Sequence, residues 1–305
     1  MKAEIKNLPA SVLDRLRNIA RAEGRVFQEI LTLYGLERFL HRLSVSSHSE
    51  QFVLKGALVM QTWPGGPSRT TSDIDLRALV PAEPEAIAEI IQEVCLQRGD
   101  DAIEFDPGSI RLDPIIERAG HPSYRVRLRG KIARTQLSVQ IDMGFTDPMV
   151  PPPVEVAYPT LLGHPKPKLR AYRLETIVAE KLEAIVQLGD INTRMKDYFD
   201  LWHIASRFQF EGTVLAAALK KTFESRGTDI TDHPDGFSQD FVRKNERLWR
   251  AFLERIASPV AGSWEFEEAV EQIRRFAVPV LRAAASENAT KLGQWGTSLG
   301  WSVAH

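Results

Sequence analysis

From Ala10 to Leu43 apolar residues recur every three or four positions. Val12, Leu13, Leu16 and Ile19 mark one stripe; Phe27, Ile30, Leu31, Tyr34, Leu36, Phe39 and Leu40 mark another. The stretch reads as helix, with Gly24 and Gly35 as weak points, until the polar string Ser44 to Gln51 ends it. A short apolar run, Phe52 to Met60, and a loop of Gly, Pro and Ser, Trp63 to Ser68, lead into Ser72-Asp73-Ile74-Asp75-Leu76-Arg77-Ala78-Leu79-Val80, which reads as a strand. Residues 83–98 read as helix, with Ile87, Ile90, Ile91 and Val94 on one side.

The period then drops to two. Tyr124, Val126 and Leu128 alternate with Arg125, Arg127 and Arg129, and Leu137, Val139, Ile141 and Met143 alternate with Ser138, Gln140 and Asp142. These are half-buried strands, with Gly130 expected to begin the connection between them. Prolines at 148–153 and the segment 163–168 punctuate the chain, and the pattern beyond is helical: 169–189, 195–208, 213–225, 240–256 and 265–284, with 227–239 as a loop. This gives N-terminal helices (1–47) packed on a strand-bearing lobe (48–160), and a helical lobe (161–305).

A length of 305 residues suits two lobes. The formal net charge of −1 means that a polyanion can be held only by a local patch. A single cysteine, Cys95, excludes an internal disulfide, and the seven histidines are scattered, which argues against zinc. No apolar run reaches the roughly 20 residues of a membrane span. The first residues lack the apolar core of a signal peptide, so a cytoplasmic protein is expected.

The candidate chemistry begins at Asp73 and Asp75. Positions two apart on a strand share a face, so both carboxylates point one way while Ile74 and Leu76 point into the core. They start roughly 6.6 Å apart, and their repulsion at an effective dielectric near 20 is about 2.5 kcal/mol. A divalent cation would turn that cost to use, because oxygen ligands with open positions suit Mg²⁺. Asp142, outward on another strand, would add a third carboxylate if the two strands are neighbours, and such a cluster can hold two metals. For the Asp-x-Asp pattern alone, a solvated strand face is the commoner explanation.

An apolar run, then Gly56, then a loop, then Thr70-Thr71-Ser72-Asp73-Ile74-Asp75-Leu76 resembles the signature of the polymerase β nucleotidyltransferase superfamily. Ala57 stands where glycine or serine is usual, and the loop to Asp73 is longer than the commonest spacing. Leu36-Glu37-Arg38-Phe39-Leu40, Phe52-Val53-Leu54-Lys55-Gly56-Ala57-Leu58, the Asp-Ile-Asp strand, a lysine helix and Lys196-Asp197-Tyr198-Phe199-Asp200-Leu201 follow in order. Over roughly residues 25–210 this series is similar to the AbiEii/AbiGii nucleotidyltransferase toxin family, which includes the MenT toxins of type IV toxin–antitoxin systems.

The resemblance implies an α+β fold: a nucleotidyltransferase lobe with a small mixed sheet, a helical C-terminal lobe, and the active site in the cleft between them. It implies an NTP substrate with Mg²⁺ at Asp73, Asp75 and Asp142, nucleotide contacts at Lys55, Gly56, Ala57 and Ser72, and a cognate antitoxin. It also implies transfer to RNA, with the 3′ end of tRNA as the expected acceptor. A protein hydroxyl is an alternative acceptor, and a catalytically silent nucleotide- or antitoxin-binding module is a third possibility, against which the intact Asp73, Asp75 and Lys181 argue.

Lys181 falls on a helical stripe with Leu174, Ile177, Val178, Ile185 and Leu188. Such a lysine ordinarily snorkels. The resemblance implies instead a catalytic lysine on the triphosphate; on either reading the fold should hardly depend on it. Asp197 and Asp200 read as a solvated helix face, with Lys196 and Asp200 as an i,i+4 pair. The resemblance places both in the active site, with Asp197 aligned best. Arg125, Arg127 and Arg129, with Lys131 and Arg134 behind, form a basic face suited to RNA phosphates, as do Lys166 to Arg173 and Arg243 to Arg250.

Overall fold

The computed structural model describes residues 7–65, 69, 71–115, 122–256, 265–286, 292–298 and 300–303. The long N-terminal helical stretch is two helices, α1 (Leu8–Ala22) and α2 (Phe27–Val45). Asn7 caps α1, its side chain accepting from the Ala10 N–H at 3.1 Å. Gly24, at φ +64°, ends that helix. Gly35 does not break α2. A Cβ there would lie 3.0 Å from Leu137, so glycine lets the helix approach the sheet closely.

Next come β1 (Phe52–Lys55), a single turn α3 (Gly56–Met60), β2 (Asp73–Ala78), α4 (Pro84–Leu96), β3 (Glu104–Pro114), β4 (Ser123–Ile132), β5 (Thr135–Gly144), β6 (Val154–Ala157) and β7 (Lys168–Ala171). These strands form one sheet in the order β3-β4-β5-β2-β1-β7-β6. The β2–β5 and β1–β7 pairs are parallel, and the other neighbours are antiparallel. Gly130 lies inside β4, opposite Leu137, and the turn comes at Ala133. That glycine sits between Phe105 and Leu137, where a Cβ would be crowded.

The alternation predicted for β2, β4 and β5 is what makes the sheet two-faced. Ile74, Leu76, Val126, Leu128, Val139 and Ile141 are buried on one side, where α2 packs against β5 and α4 against β3. Full burial of each such aliphatic side chain contributes about 1.5–3 kcal/mol. The polar residues of the same strands occupy the other face. Three charged residues of α2 are not solvated: Glu37, Arg38 and Arg42 are buried. Glu37 accepts from the Leu161 N–H at 2.6 Å, and Arg42 grips Asp101 with two hydrogen bonds of 2.8 and 3.0 Å.

The remaining elements are α5 (Leu174–Leu188), α6 (Met195–Arg207), β8 (Phe210–Glu211), α7 (Gly212–Arg226), α8 (Gln239–Ile256), α9 (Phe266–Ala285), β9 (Leu292–Gly296) and β10 (Gly300–Val303). The chain divides into two compact units. The first comprises 1–62, 70–146 and 154–171; the second comprises 63–69, 147–153 and 172–305. In the second, Tyr198 and Phe199 of α6 pack among Phe241, Trp249, Phe252 and Phe266. Arg226 ends α7 and bonds Asp147, Glu180 and Glu183, which fixes the 147–153 segment to α5. No helix among the described residues is long and apolar enough to cross a membrane.

Candidate active site

The polar face of the first unit's sheet carries its charges in a row. Pairing sets Lys55 of β1 opposite Asp75 of β2, Asp75 beside Asp142 of β5, Asp142 opposite Arg125 of β4, and Arg125 opposite Asp113 of β3. Because β2 and β5 are parallel neighbours, Asp73, Asp75 and Asp142 lie on one patch of sheet, all partly exposed. The Thr71 hydroxyl donates to Asp73 Oδ1 at 2.7 Å. Thr70, also part of the motif, lies outside the described residues.

The patch is less bare than sequence suggests. Arg125 donates from Nε and Nη2 to the two oxygens of Asp142 at 2.8 and 2.7 Å. That hydrogen bonding raises the arginine above its ordinary value, and the charges of Asp142, Asp73 and Asp75 add to the effect. The guanidinium thus answers part of the repulsion among three carboxylates. It also occupies Asp142, and among the described residues no group of three acidic, histidine or cysteine side chains is arranged to hold a metal ion. A cross-strand arginine thus holds the third carboxylate expected at this patch. Asp73 and Asp75 form an oxygen-only pair on the same strand face, which suits an ion such as Mg²⁺ that retains several waters.

Gly56 explains itself beside Asp75. Its φ is +68°, and a Cβ built on it would fall 2.0 Å from Asp75 Oδ2. Both the backbone and the close approach therefore demand glycine. Ala57 is buried, whereas Ser72 is exposed. We expect Gly56→Ala to displace the Asp75 carboxylate and lower turnover by about 10²-fold, as misplacements near 1 Å do. A wild-type kcat in that variant would remove Gly56 and Asp75 from the chemistry together.

The second cluster belongs to α5 and α6. Lys181 does not snorkel: its side chain is 10 % exposed, and its ammonium lies 2.8 Å from Asp197 Oδ1 and 2.7 Å from Asp200 Oδ2. Nor is the Asp197–Asp200 face solvated. Asp200 is fully buried and pairs with Arg69 and Lys181 rather than with Lys196, which is exposed. Arg69 donates from Nε and Nη2 to both Asp200 oxygens at 2.7 Å each, and Arg194 Nε donates to Asp197 Oδ2 at 2.6 Å. One turn along, His203 Nε2 bonds the Gly65 carbonyl at 2.6 Å. Gly65 and Arg69 are thereby each tied to one face of α6. Arg69 was missed in the sequence. Its only signal there is position, four residues before Asp73.

Burial by itself would raise the two aspartates. Lys181, with Arg194 for Asp197 and Arg69 for Asp200, outweighs it and holds both carboxyls below their ordinary value of 3.8. Burial would likewise lower Lys181, but Asp197 and then Asp200 leave it raised. The stability that depressed carboxyls supply is present above about pH 4 and is lost as pH falls through their folded values. The lysine's part is present below its ordinary 10.5 and lost only as pH rises through its folded value. Urea unfolding between pH 7 and pH 3 is therefore expected to show a steeper loss for the wild type than for Asp197→Asn. Equal slopes would contradict an ionised Asp197 in the native state.

The arginine face of β4 is largely answered within the sheet. Arg127 pairs with Asp113, Arg129 lies 4.0 Å from Asp106, and Lys131 lies 2.9 Å from Glu104. Arg127 and Arg129 are the exposed pair, at 53 % and 71 %, and exposed ion pairs of this kind hold weakly.

Two solved structures align with the chain over most of its length. JHP933 from Helicobacter pylori aligns with a TM-score of 0.46 at 14 % identity, covering 86 % of this chain and 93 % of that one. A candidate nucleotidyltransferase from H. pylori aligns with a TM-score of 0.43 at 14 % identity, covering 86 % and 96 %. No curated protein is matched by the sequence. Residues 38–272 match the family model of the nucleotidyl transferase AbiEii toxin of type IV toxin–antitoxin systems, a span that includes both charged clusters, and the chain belongs to that family of nucleotidyltransferases.

Proposed function

We propose that this protein is a Mg²⁺-dependent nucleotidyltransferase that moves NMP from an NTP to the 3′ hydroxyl of an RNA, with tRNA as the acceptor class, and acts as the toxin beside a cognate antitoxin. The observation that carries the reading is the patch at Asp75. Two partly exposed carboxylates share a strand face, and a glycine at positive φ is packed against one of them.

In this reading Asp73 and Asp75 would hold the ion, and Asp142 with Arg125 would set the charge around it. A bound Mg²⁺ would supply charge neutralisation at the phosphates. Lys55, the backbone at Gly56 and Ala57, and Ser72 contact the nucleotide. Lys181, steadied by Asp197 and Asp200, gives a cation to the triphosphate. The acceptor oxygen forms its bond to the α-phosphorus as the bond to the β-phosphate oxygen breaks, and pyrophosphate leaves. Orienting these two bonds in line and stabilising the charge on the leaving group account for most of the catalysis.

Arg127 and Arg129 are assigned to the RNA backbone; Arg125 is committed to Asp142 and contributes through it. Neutralising Arg127 and Arg129 to Gln is expected to weaken RNA binding and to flatten the log–log salt dependence by about one unit per arginine. An unchanged slope would take this face out of the acceptor path. The acceptor itself is tested with each α-labelled NTP, Mg²⁺ and total RNA. Label that is lost on nuclease treatment and survives protease supports the RNA reading, whereas the reverse pattern would move the acceptor to a protein hydroxyl.

A further inference from the structure

Five charged groups of the second unit form one chain of contacts, Arg194, Asp197, Lys181, Asp200 and Arg69, of which all but the half-exposed Arg194 are buried. Among these five, three cations face two carboxylates. The two kinds of cation are held differently. Arg69 grips Asp200 through two parallel bonds of 2.7 Å and is itself 9 % exposed. Arg194 donates to Asp197 Oδ2, the oxygen that Lys181 leaves unused. Lys181 takes one oxygen from each aspartate.

Breaking a buried ion pair is costly because it strands a carboxylate without a counter-charge. Here it would not. If the ammonium turns away, Asp197 retains Arg194 and Asp200 retains Arg69. A guanidinium in a bidentate grip is fixed in place, whereas an ammonium on a four-carbon stem can exchange partners. Of the two buried cations, Arg69 and Lys181, the movable one is Lys181.

We infer that Arg69 is a positioning residue for nucleotidyl transfer. It neutralises and holds Asp200 and so leaves the Lys181 ammonium transferable to an incoming triphosphate. Without Arg69, Asp200 would have Lys181 as its sole counter-charge among these five and would retain it. This rests on the assignment of Lys181 to the triphosphate, and the test separates the two.

The readout is Mg·NTP affinity by calorimetry, measured with the folded full chain below its melting temperature, for the wild type and four variants. Arg69→Gln is expected to bind NTP about tenfold more weakly or worse, a loss of roughly one charged contact. Arg69→Gln with Asp200→Asn restores the surplus of one cation and strands no carboxylate. It should recover affinity to within about threefold of wild type, although it has lost both partners of the ion pair. A purely structural role for Arg69 would move melting temperature alone and would make the double variant no better than the single one. Should Arg69→Gln fail to fold, the charge-balanced double variant decides by itself: folded protein that binds about tenfold more weakly than wild type overturns the inference. Arg69→Lys, which keeps the charge, should bind close to wild type, and a loss equal to that of Arg69→Gln would count against the charge argument. Lys181→Met with wild-type affinity, or a wild type that binds none of the four NTPs, overturns the reading of Lys181 and this inference with it. Normal Arg69→Gln affinity beside a weakened Lys181→Met overturns this inference alone.

Discussion

Lys181→Met is expected to lower the stability of the protein by about 3 kcal/mol and its turnover by roughly 10²–10³. Methionine matches the stem but removes the ammonium that bridges Asp197 and Asp200, both buried. Removing one partner from a buried pair typically costs 3–5 kcal/mol. The lower end applies, because Arg194 and Arg69 remain on the two carboxylates. This departs from what the apolar stripe of α5 suggests, where a snorkelling lysine could be replaced at no cost. Chemical denaturation and steady-state kinetics on the same preparation check both halves. A variant as stable as wild type would contradict the buried network. A stable but inactive one would place Lys181 in the chemistry without a share in the fold.

Asp75→Asn should behave in the opposite way, losing activity and not stability. The carboxamide has the shape of the carboxylate and fits the same gap against Gly56. It relieves repulsion with Asp142, its neighbour on β5, and with Asp73 on the same strand face. Melting temperature should stay level or rise, as is usual when a strained functional charge is removed. Turnover should fall by roughly a thousandfold or more, since a metal ligand is worth several kcal/mol of the barrier. A large drop in melting temperature would mark Asp75 as part of the fold's own electrostatics.

Much of the sheet was legible because one of its faces is apolar. The alternation in 124–128 and 137–143 and the Asp-Ile-Asp motif each predict a two-faced strand, and β4, β5 and β2 are where that pattern puts them. The strand β3 was not legible. Its register slips between Asp106 and Arg111, around Pro107 and Gly108, so its alternation is broken. β7 was absorbed into the helix expected at 169–189, because Leu169 and Ala171 alone cannot distinguish a period of two from a period of 3.6. Of the site, Asp73, Asp75 and Gly56 stand close in sequence and carry their own pattern. The Lys181 network does not. Its burial depends on Arg69, which lies 131 residues before Asp200. A helix face with aspartates at 197 and 200 looks solvated until its partners are known.

The most direct test is transfer of α-labelled NMP to RNA by the wild type and by the double variant Asp73→Asn with Asp75→Asn, each with Mg²⁺ and with a chelator. Labelled RNA is expected from the wild type with Mg²⁺ only, and none from the folded double variant. Wild-type labelling by the double variant, or labelling that survives chelation, would contradict an active site built on Asp73 and Asp75.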